Sequence, residues 1–167
     1  MKFRRAVKSD INNILKIICE AQNYFKKNNI DQWQDGYPNF QTIENDINKG
    51  YGYVLTKDNL IIGTTALSFD KEESYSTIYE GKWLSQNKSA VIHRIAINNK
   101  LKGNNLASLI IKHIEKICLS KNVHSIKIDT HEDNVSMQKL LHKNDFKYCG
   151  VIYLEDNSKR IAFEKLI

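Results

Sequence analysis

The sequence predicts a mixed α/β fold of the α+β kind, with one mixed sheet and its helices in a single domain over residues 1–167. Two observations carry that prediction. One is the stretch AVIHRIAINNKLKGNNLASLIIKHIEKI, residues 90–117, in which the apolar period changes once. Residues 90–97 are apolar or β-branched around one His-Arg pair and read as a buried strand. After a short polar loop with a single glycine, apolar residues recur at Leu106, Leu109, Ile110, Ile114 and Ile117, the spacing of a helix with one buried face. The other is bulk composition. With 167 residues, 41% hydrophobic and 26% charged, the chain can bury a proper core and has ordinary globular balance. No repeat, low-complexity tract or linker divides it.

The remaining elements follow in order. Residues 2–7 read as a first strand. Ser9 and Asp10 offer a cap and an acidic first turn, and Ile11, Ile14, Leu15, Ile18, Ala21 and Phe25 continue at helical spacing, so 10–27 is an amphipathic helix. Gly36 and Pro38 break the segment 28–39, which holds Trp33 and Tyr37. A second helix over 40–49 ends at Gly50, a C-cap residue. Strands at 51–56 and 60–69 flank the turn Lys57-Asp58-Asn59 as a hairpin. Residues 71–87 are polar, carry Tyr75, Tyr79 and Trp83, and read as a short helix and loop. After the central strand and helix, 124–130 alternates Ile126, Ile128 and Thr130 against Lys127, Asp129 and His131, which is a strand. Asp133 can cap a helix over 134–143, and strands at 146–154 and 160–166 close the chain around residues 155–158. The order is β-α-α-β-β-β-α-β-α-β-β.

Composition narrows the function classes. No apolar run approaches the ~18 residues of a membrane helix, and the N-terminus lacks a signal-peptide pattern, so a cytoplasmic protein is expected. Cys19, Cys118 and Cys149 are an odd number without a CxxC spacing; they read as buried free thiols rather than a disulfide framework. The net charge of +6 suits a polyanionic small ligand. Its lysines are scattered rather than gathered, which argues against nucleic acid as the main partner. His131, Glu132 and Asp133 alternate across a strand and make no metal site, so no metal is expected. The Gly-x-Ser-x-Gly, P-loop and GxGxxG patterns are absent.

The loop over 98–105 carries two lysines and opens onto the start of a helix. Backbone N–H groups there, with the positive end of the helix dipole, make a site for an anion, phosphate above all. These residues resemble the signature of the Gcn5-related N-acetyltransferase (GNAT) family: a hydrophobic strand, then Gln/Arg-x-x-Gly-x-Gly/Ala, then a helix. Lys102 falls at the Gln/Arg position, Asn105 at the middle Gly and Ala107 at the Gly/Ala, with Gly103 at a glycine that often follows the arginine. Lys102 can meet a phosphate as a point charge, and Asn105 is a residue type that tolerates positive φ. The later segment NVSMQKLLHKNDF is similar to the family's Asn-x-x-Ala-x-x-Leu-Tyr-x-Lys-x-Gly-Phe at Asn134, Leu140, Lys143 and Phe146, while Met137, Leu141 and Asp145 replace the Ala, Tyr and Gly. The order of elements resembles the GNAT fold throughout.

That resemblance implies an acetyl-coenzyme A-dependent N-acetyltransferase acting on a primary amine of a small molecule or peptide, by direct attack on the thioester. The cofactor would be held by backbone groups of Gly103, Asn104, Asn105, Leu106, Ala107 and Ser108, by the side chains of Lys102 and Ser108, and by Asn134 and Lys143. Ile95, Ala96 and Ile97 would pair with the pantetheine arm as an added strand does, and the N–H near Ile95 would meet the oxyanion. His93, by alternation, shares a face with Val91, Ile95 and Ile97, and interrupts an apolar row just before the thioester position. Its imidazole is a candidate base, or else a core histidine. Arg94 points to the other face. Asp129 and His131 could continue a proton path, and Glu80 is a further carboxylate. Leu141 stands where the family's tyrosine protonates the thiolate, and leucine cannot; a water, and Tyr148 or Tyr153 on the closing strand, are the candidates in its place. In this family the stretches holding Trp33, Tyr37, Tyr79 and Trp83 wall the acceptor site, where aromatics favour a cationic or apolar amine or simply pack on the core. A degenerate acyl-coenzyme A-binding module without turnover is the alternative. The closing strands could pair in a homodimer.

Overall fold

A computed structural model describes residues 1–167 and contains seven strands and four helices. They are β1 (Lys2–Arg5), α1 (Ile11–Lys27), α2 (Phe40–Asn48), β2 (Gly52–Lys57), β3 (Leu60–Ser68), β4 (Ala90–Ile97), α3 (Leu106–Ser120), β5 (Ser125–Thr130), α4 (Val135–Lys143), β6 (Lys147–Tyr153) and β7 (Lys159–Leu166). The strands form one mixed sheet in the order β1-β2-β3-β4-β5-β7-β6. Element order and class are those the sequence predicts. No helix is long and apolar enough to cross a membrane.

The chain forms two compact units, Met1–Leu67 with His93–His113, and Ser68–Ile92 with Ile114–Ile167. In the first, β1, β2 and β3 are an antiparallel meander, with a bulge between Leu55 and Thr56. Apolar residues spaced three and four apart on α1 (Ile11, Ile14, Ile17, Ile18) meet Ile43, Val54 and Ala96 in one buried cluster. Gly63 on β3 lets the end of β4 and the start of α3 come close: a Cβ there would lie 2.7 Å from Ile97 Cδ1 and 3.0 Å from Ile110 Cδ1. This close packing fixes where the polar loop after β4 begins.

In the second unit, Ala90 and Val91 of β4 run parallel to Ile126 and Lys127 of β5, and β5, β7 and β6 continue antiparallel. The irregular stretch before β4 is tied down at several points. Tyr79 bridges Val151 through both backbone groups at 2.8 Å. The Glu164 carboxylate, fully buried, accepts from Leu84 N–H at 2.6 Å and from Ser125 Oγ at 2.6 Å. Gly81 sits where a Cβ would be 2.0 Å from the Cys149 carbonyl oxygen, so only glycine fits.

Several local expectations are corrected. The first strand stops at Arg5 rather than 7, because Asp10 turns back: its carboxylate takes two bonds from Arg4 (2.6 and 3.0 Å) and one from Val7 N–H (2.9 Å). Asp10 is therefore an ion-pair partner and makes no side-chain cap for α1. Asn134, not Asp133, caps α4, accepting from Met137 N–H at 3.1 Å. The stretch 71–87 holds a single 3-10 turn, Glu73–Tyr75. Lys127, placed by alternation on a polar face, is buried with its ammonium 4.1 Å from the Trp83 ring centroid. Cys118 and Cys149 are buried but Cys19 is exposed; burial pushes the Cys118 thiol up to about 12 and raises Cys149 as well.

Candidate functional site

The second half of β4 departs from plain alternation. Arg94 has φ +53, a left-handed conformation rare for a bulky residue, and it kinks the strand between His93 and Ile95. The face-sharing of His93 with Ile95 and Ile97 that regular alternation gives is therefore broken at Arg94. His93, Arg94 and Ile95 are all half-buried, whereas Ala90, Val91 and Ile92 before them are fully buried. The His93 carbonyl accepts from Thr65 Oγ1 at 3.1 Å. Ala96 is buried in the first unit's core and Ile97 is half-buried.

Beyond β4, Asn98 bonds back to Ile62 at 3.0 Å and a 3-10 turn covers Asn99–Leu101. Lys102, Gly103, Asn104 and Asn105 are exposed; Leu106 and Ser108 are buried and Ala107 is half-buried. Gly103 (φ +86) and Asn105 (φ +57) are both left-handed, so Asn105 takes the conformation a glycine would. Leu109 N–H donates to the Asn105 carbonyl at 3.0 Å; the amides of the preceding turn lie ahead of the intrahelical ladder. Nothing comes within 4 Å of the Cβ position of Gly103. The loop leans on α1: Glu20 Oε2 accepts from Asn99 N–H at 2.7 Å, and the Lys102 ammonium lies 4.6 Å from the Tyr24 ring centroid. Although the residue is exposed, partial desolvation of its ammonium lowers the Lys102 pKa, partly opposed by Glu20.

Trp33 and Tyr37 lie between α1 and α2. Trp33 is left-handed (φ +58), edge-on to Phe25 at 5.5 Å, and packs on the first core. Gln22 Nε2 donates to the carbonyls of Tyr37 (3.0 Å) and Pro38 (3.1 Å), pinning this segment to α1. Tyr37 is 44% exposed as a residue, yet its hydroxyl accepts from Arg94 Nη1 at 2.7 Å. Arg94 also donates from Nε and Nη2 to the two oxygens of Asp46, at 2.8 and 2.7 Å. Burial alone would lower the Arg94 pKa; Tyr37 and Asp46 reverse that and raise it. Sequence reasoning set Arg94 aside and passed over Asp46, because an α2 aspartate and a strand arginine 48 residues apart carry no local signal of their meeting.

The second unit holds the other predicted residues. Trp83 is buried, stacked on Tyr75 at 5.8 Å, and its Nε1–H donates to the Tyr75 carbonyl. Tyr79 is exposed and edge-on to Tyr153 at 5.4 Å. Asp129 accepts from the Tyr75 hydroxyl and lies 3.9 Å from Arg160 Nε. His131 Nδ1 accepts from Asp133 N–H at 3.1 Å, which places the proton of a neutral ring on Nε2. Asn134 is buried as the α4 cap, Lys143 is exposed in its last turn, and Leu141 is fully buried. Asp145, at the second motif's glycine position, is left-handed (φ +65) like Asn105.

Comparison with known proteins places this geometry. The acetyltransferase (GNAT) family matches residues 17–146. A solved acetyltransferase of the GNAT family from Streptococcus agalactiae is 36% identical, covering 99% of this chain and 95% of that one, with a TM-score of 0.91. A GNAT acetyltransferase from Listeria monocytogenes is 20% identical over 99% and 94% of the two chains, with a TM-score of 0.75. The PaiA N-acetyltransferase from Thermoplasma acidophilum, solved in complex with coenzyme A, is 15% identical over 99% and 98%, also with a TM-score of 0.75. At those lower identities the last two speak for the fold alone. A search of curated proteins found no match.

Proposed function

This chain belongs to the acetyltransferase (GNAT) family, an N-acetyltransferase using acetyl-coenzyme A, and we propose that it acetylates a primary amine by direct attack of the amine on the thioester. The observation that carries the reading is the turn ahead of α3. Gly103 and Asn105 are left-handed, the space over Gly103 is open, and a helix from Leu106 to Ser120 follows. A pyrophosphate fits such a turn because its oxygens can approach backbone N–H groups where no Cβ stands.

Acetyl-coenzyme A supplies an activated thioester when bound. In this reading the residues from Gly103 to Ser108, with Lys102, hold its phosphates. Backbone groups of Ile95, Ala96 and Ile97 would hold the pantetheine arm, and the family resemblance adds Asn134 and Lys143 as candidate cofactor contacts. The Ile95 N–H would be the donor for the thioester's carbonyl oxygen. His93 takes a proton from the ammonium so that a neutral amine can attack. Leu141, at the usual tyrosine position, would offer no proton to the leaving thiolate, which would depart unprotonated or take its proton from solvent; the second proton lost by the nitrogen would pass to water. A thiol of pKa near ~8.5 makes that tolerable.

A thermal melt with and without acetyl-coenzyme A tests the cofactor. At 100 times its Kd, a ligand of the folded state alone adds about 2.7 kcal/mol. A rise with acetyl-coenzyme A and coenzyme A, but not with AMP, is expected; no shift at millimolar cofactor refutes the reading. His93→Ala should then lower kcat far more than it lowers cofactor affinity. A changed melting point at unaltered kcat would make His93 a core residue.

A further inference from the structure

The Arg94–Asp46–Tyr37 chain in the first unit does more than the transfer requires. We infer that the Tyr37 hydroxyl is a recognition donor for the acceptor, hydrogen-bonding an oxygen atom that the acceptor carries close to its amine, and that Arg94 and Asp46 hold it in place. The inference deepens the function proposed above and rests on it.

Three observations converge. Arg94 Nη1 donates to the Tyr37 oxygen at 2.7 Å. A phenol has one hydrogen to give, so the Tyr37 hydrogen is directed away from the guanidinium. A cation bonded to the oxygen also strengthens that hydrogen as a donor and disfavours a second cation on the same oxygen. The natural partner is electron-rich. It is not the acceptor's nitrogen, whose lone pair must attack the thioester, so it is an oxygen of the same molecule.

Within the fold the hydroxyl's oxygen serves Arg94 Nη1, which leaves its hydrogen to give. The segment's backbone is already pinned by Gln22 at Tyr37 and Pro38, and Asp46 is satisfied by two other nitrogens of Arg94. Tyr37 is exposed. Meanwhile Arg94 adopts a left-handed conformation, and strain of this kind persists where the surroundings over-determine it, often at ligand sites. Finally, Arg94 stands in the chain between His93 and Ile95, the proposed base and oxyanion donor. The Tyr37 hydroxyl is thus bonded to the residue that separates the two. The substrate class is an amine bearing a carbonyl or carboxylate oxygen a few bonds from its nitrogen, in preference to a plain alkylamine.

The test uses glycinamide and n-propylamine, of similar size, with release of the coenzyme A thiol as the readout. Because the two amines differ in basicity, the quantity of interest is how their kcat/KM ratio changes on substitution. Tyr37→Phe should shift the ratio about tenfold against glycinamide, the size of one lost hydrogen bond, chiefly through KM for glycinamide. Arg94→Lys keeps the charge but cannot bond Asp46 twice and Tyr37 once, and should shift the ratio alike; the double variant should shift it no further. An unmoved ratio in Tyr37→Phe, or multiplying effects of the two variants, overturns the inference. If Arg94→Lys does not fold, Tyr37→Phe decides alone. A wild type that melts higher with acetyl-coenzyme A but acetylates neither amine refutes this acceptor class and leaves the family function standing. Absence of that melting rise takes down both.

Discussion

The turn ahead of α3 and the kink at Arg94 sit a few residues apart on the same stretch of chain, and both use left-handed backbone. They are built from opposite materials. In the turn, Gly103 and Asn105 accept positive φ at little cost, both residues are exposed, and the space over Gly103 is open. At the kink, a buried arginine is held left-handed by a carboxylate on α2, with side-chain exposures of 13% and 11% for Arg94 and Asp46. Of the ten non-glycine residues with positive φ, seven are Asn or Asp; the others are Trp33, Glu80 and Arg94. The relaxed type suits the phosphate-holding turn proposed above. The forced type suits a position that surrounding contacts must hold. Stability should therefore reside at the kink and cofactor affinity at the turn.

The largest expected effect tests the kink. Asp46→Ala strands a mostly buried guanidinium and should cost about 3–5 kcal/mol in urea unfolding, with no specific effect on acetyl-coenzyme A in the fraction that remains folded. A cost below about 1 kcal/mol, the value of a surface pair, would show that Arg94 finds water instead. The turn is tested next. Asn105→Val puts a β-branched residue at φ +57 and should cost about 1–2 kcal/mol, whereas Asn105→Gly should leave the melting point nearly unchanged and keep cofactor binding. Equal losses in the two variants would mean that the Asn105 side chain, rather than its backbone, matters.

This contrast also marks what could be read from the sequence. All eleven strands and helices follow from apolar period and from Gly, Asn and Asp punctuation, because burial of one face dictates both. The turn at Gly103 and Asn105 was legible for the same reason, since residue type and backbone conformation are coupled there. The kink was not. Nothing in the word His-Arg-Ile announces a left-handed arginine, and alternation assigned faces to His93 and Ile95 that a regular strand would have. Lys127 and Trp83 escaped likewise: a lysine on a strand and a tryptophan in a loop look exposed until the fold stacks one on the other. Asp10 looks like an acidic first-turn residue of α1 because its actual partner, Arg4, lies on a strand.

The Arg4–Asp10 pair offers a milder version of the Arg94–Asp46 fork, with Arg4 33% exposed. Arg4, and behind it the Val7 N–H, hold the Asp10 carboxyl below its ordinary value. An acid with a depressed folded pKa contributes stability above its unfolded pKa near ~3.9 and loses it as pH falls through the folded value. Asp10→Asn should accordingly remove part of the acid-side loss of stability below about pH 4 and little at pH 7 beyond the lost pairing. An acid limb identical in the two proteins would mean that the pair persists in the unfolded chain or contributes nothing.

The smallest effect on stability belongs to Lys102. Its ammonium is partly desolvated, which lowers its pKa, and it rests over the Tyr24 ring at 4.6 Å, a contact of about 0.5–1 kcal/mol at such exposure. The two oppose each other. Lys102→Ala should move the melting point by only about one or two degrees, while acetyl-coenzyme A binds at least about tenfold more weakly for want of one charge-assisted contact. Calorimetry on the variant at two salt concentrations separates the causes, because a lost phosphate contact should reduce the salt dependence of binding along with the affinity. If affinity is unchanged, Lys102 serves to dock the loop on α1, and the turn's backbone alone must hold the phosphates.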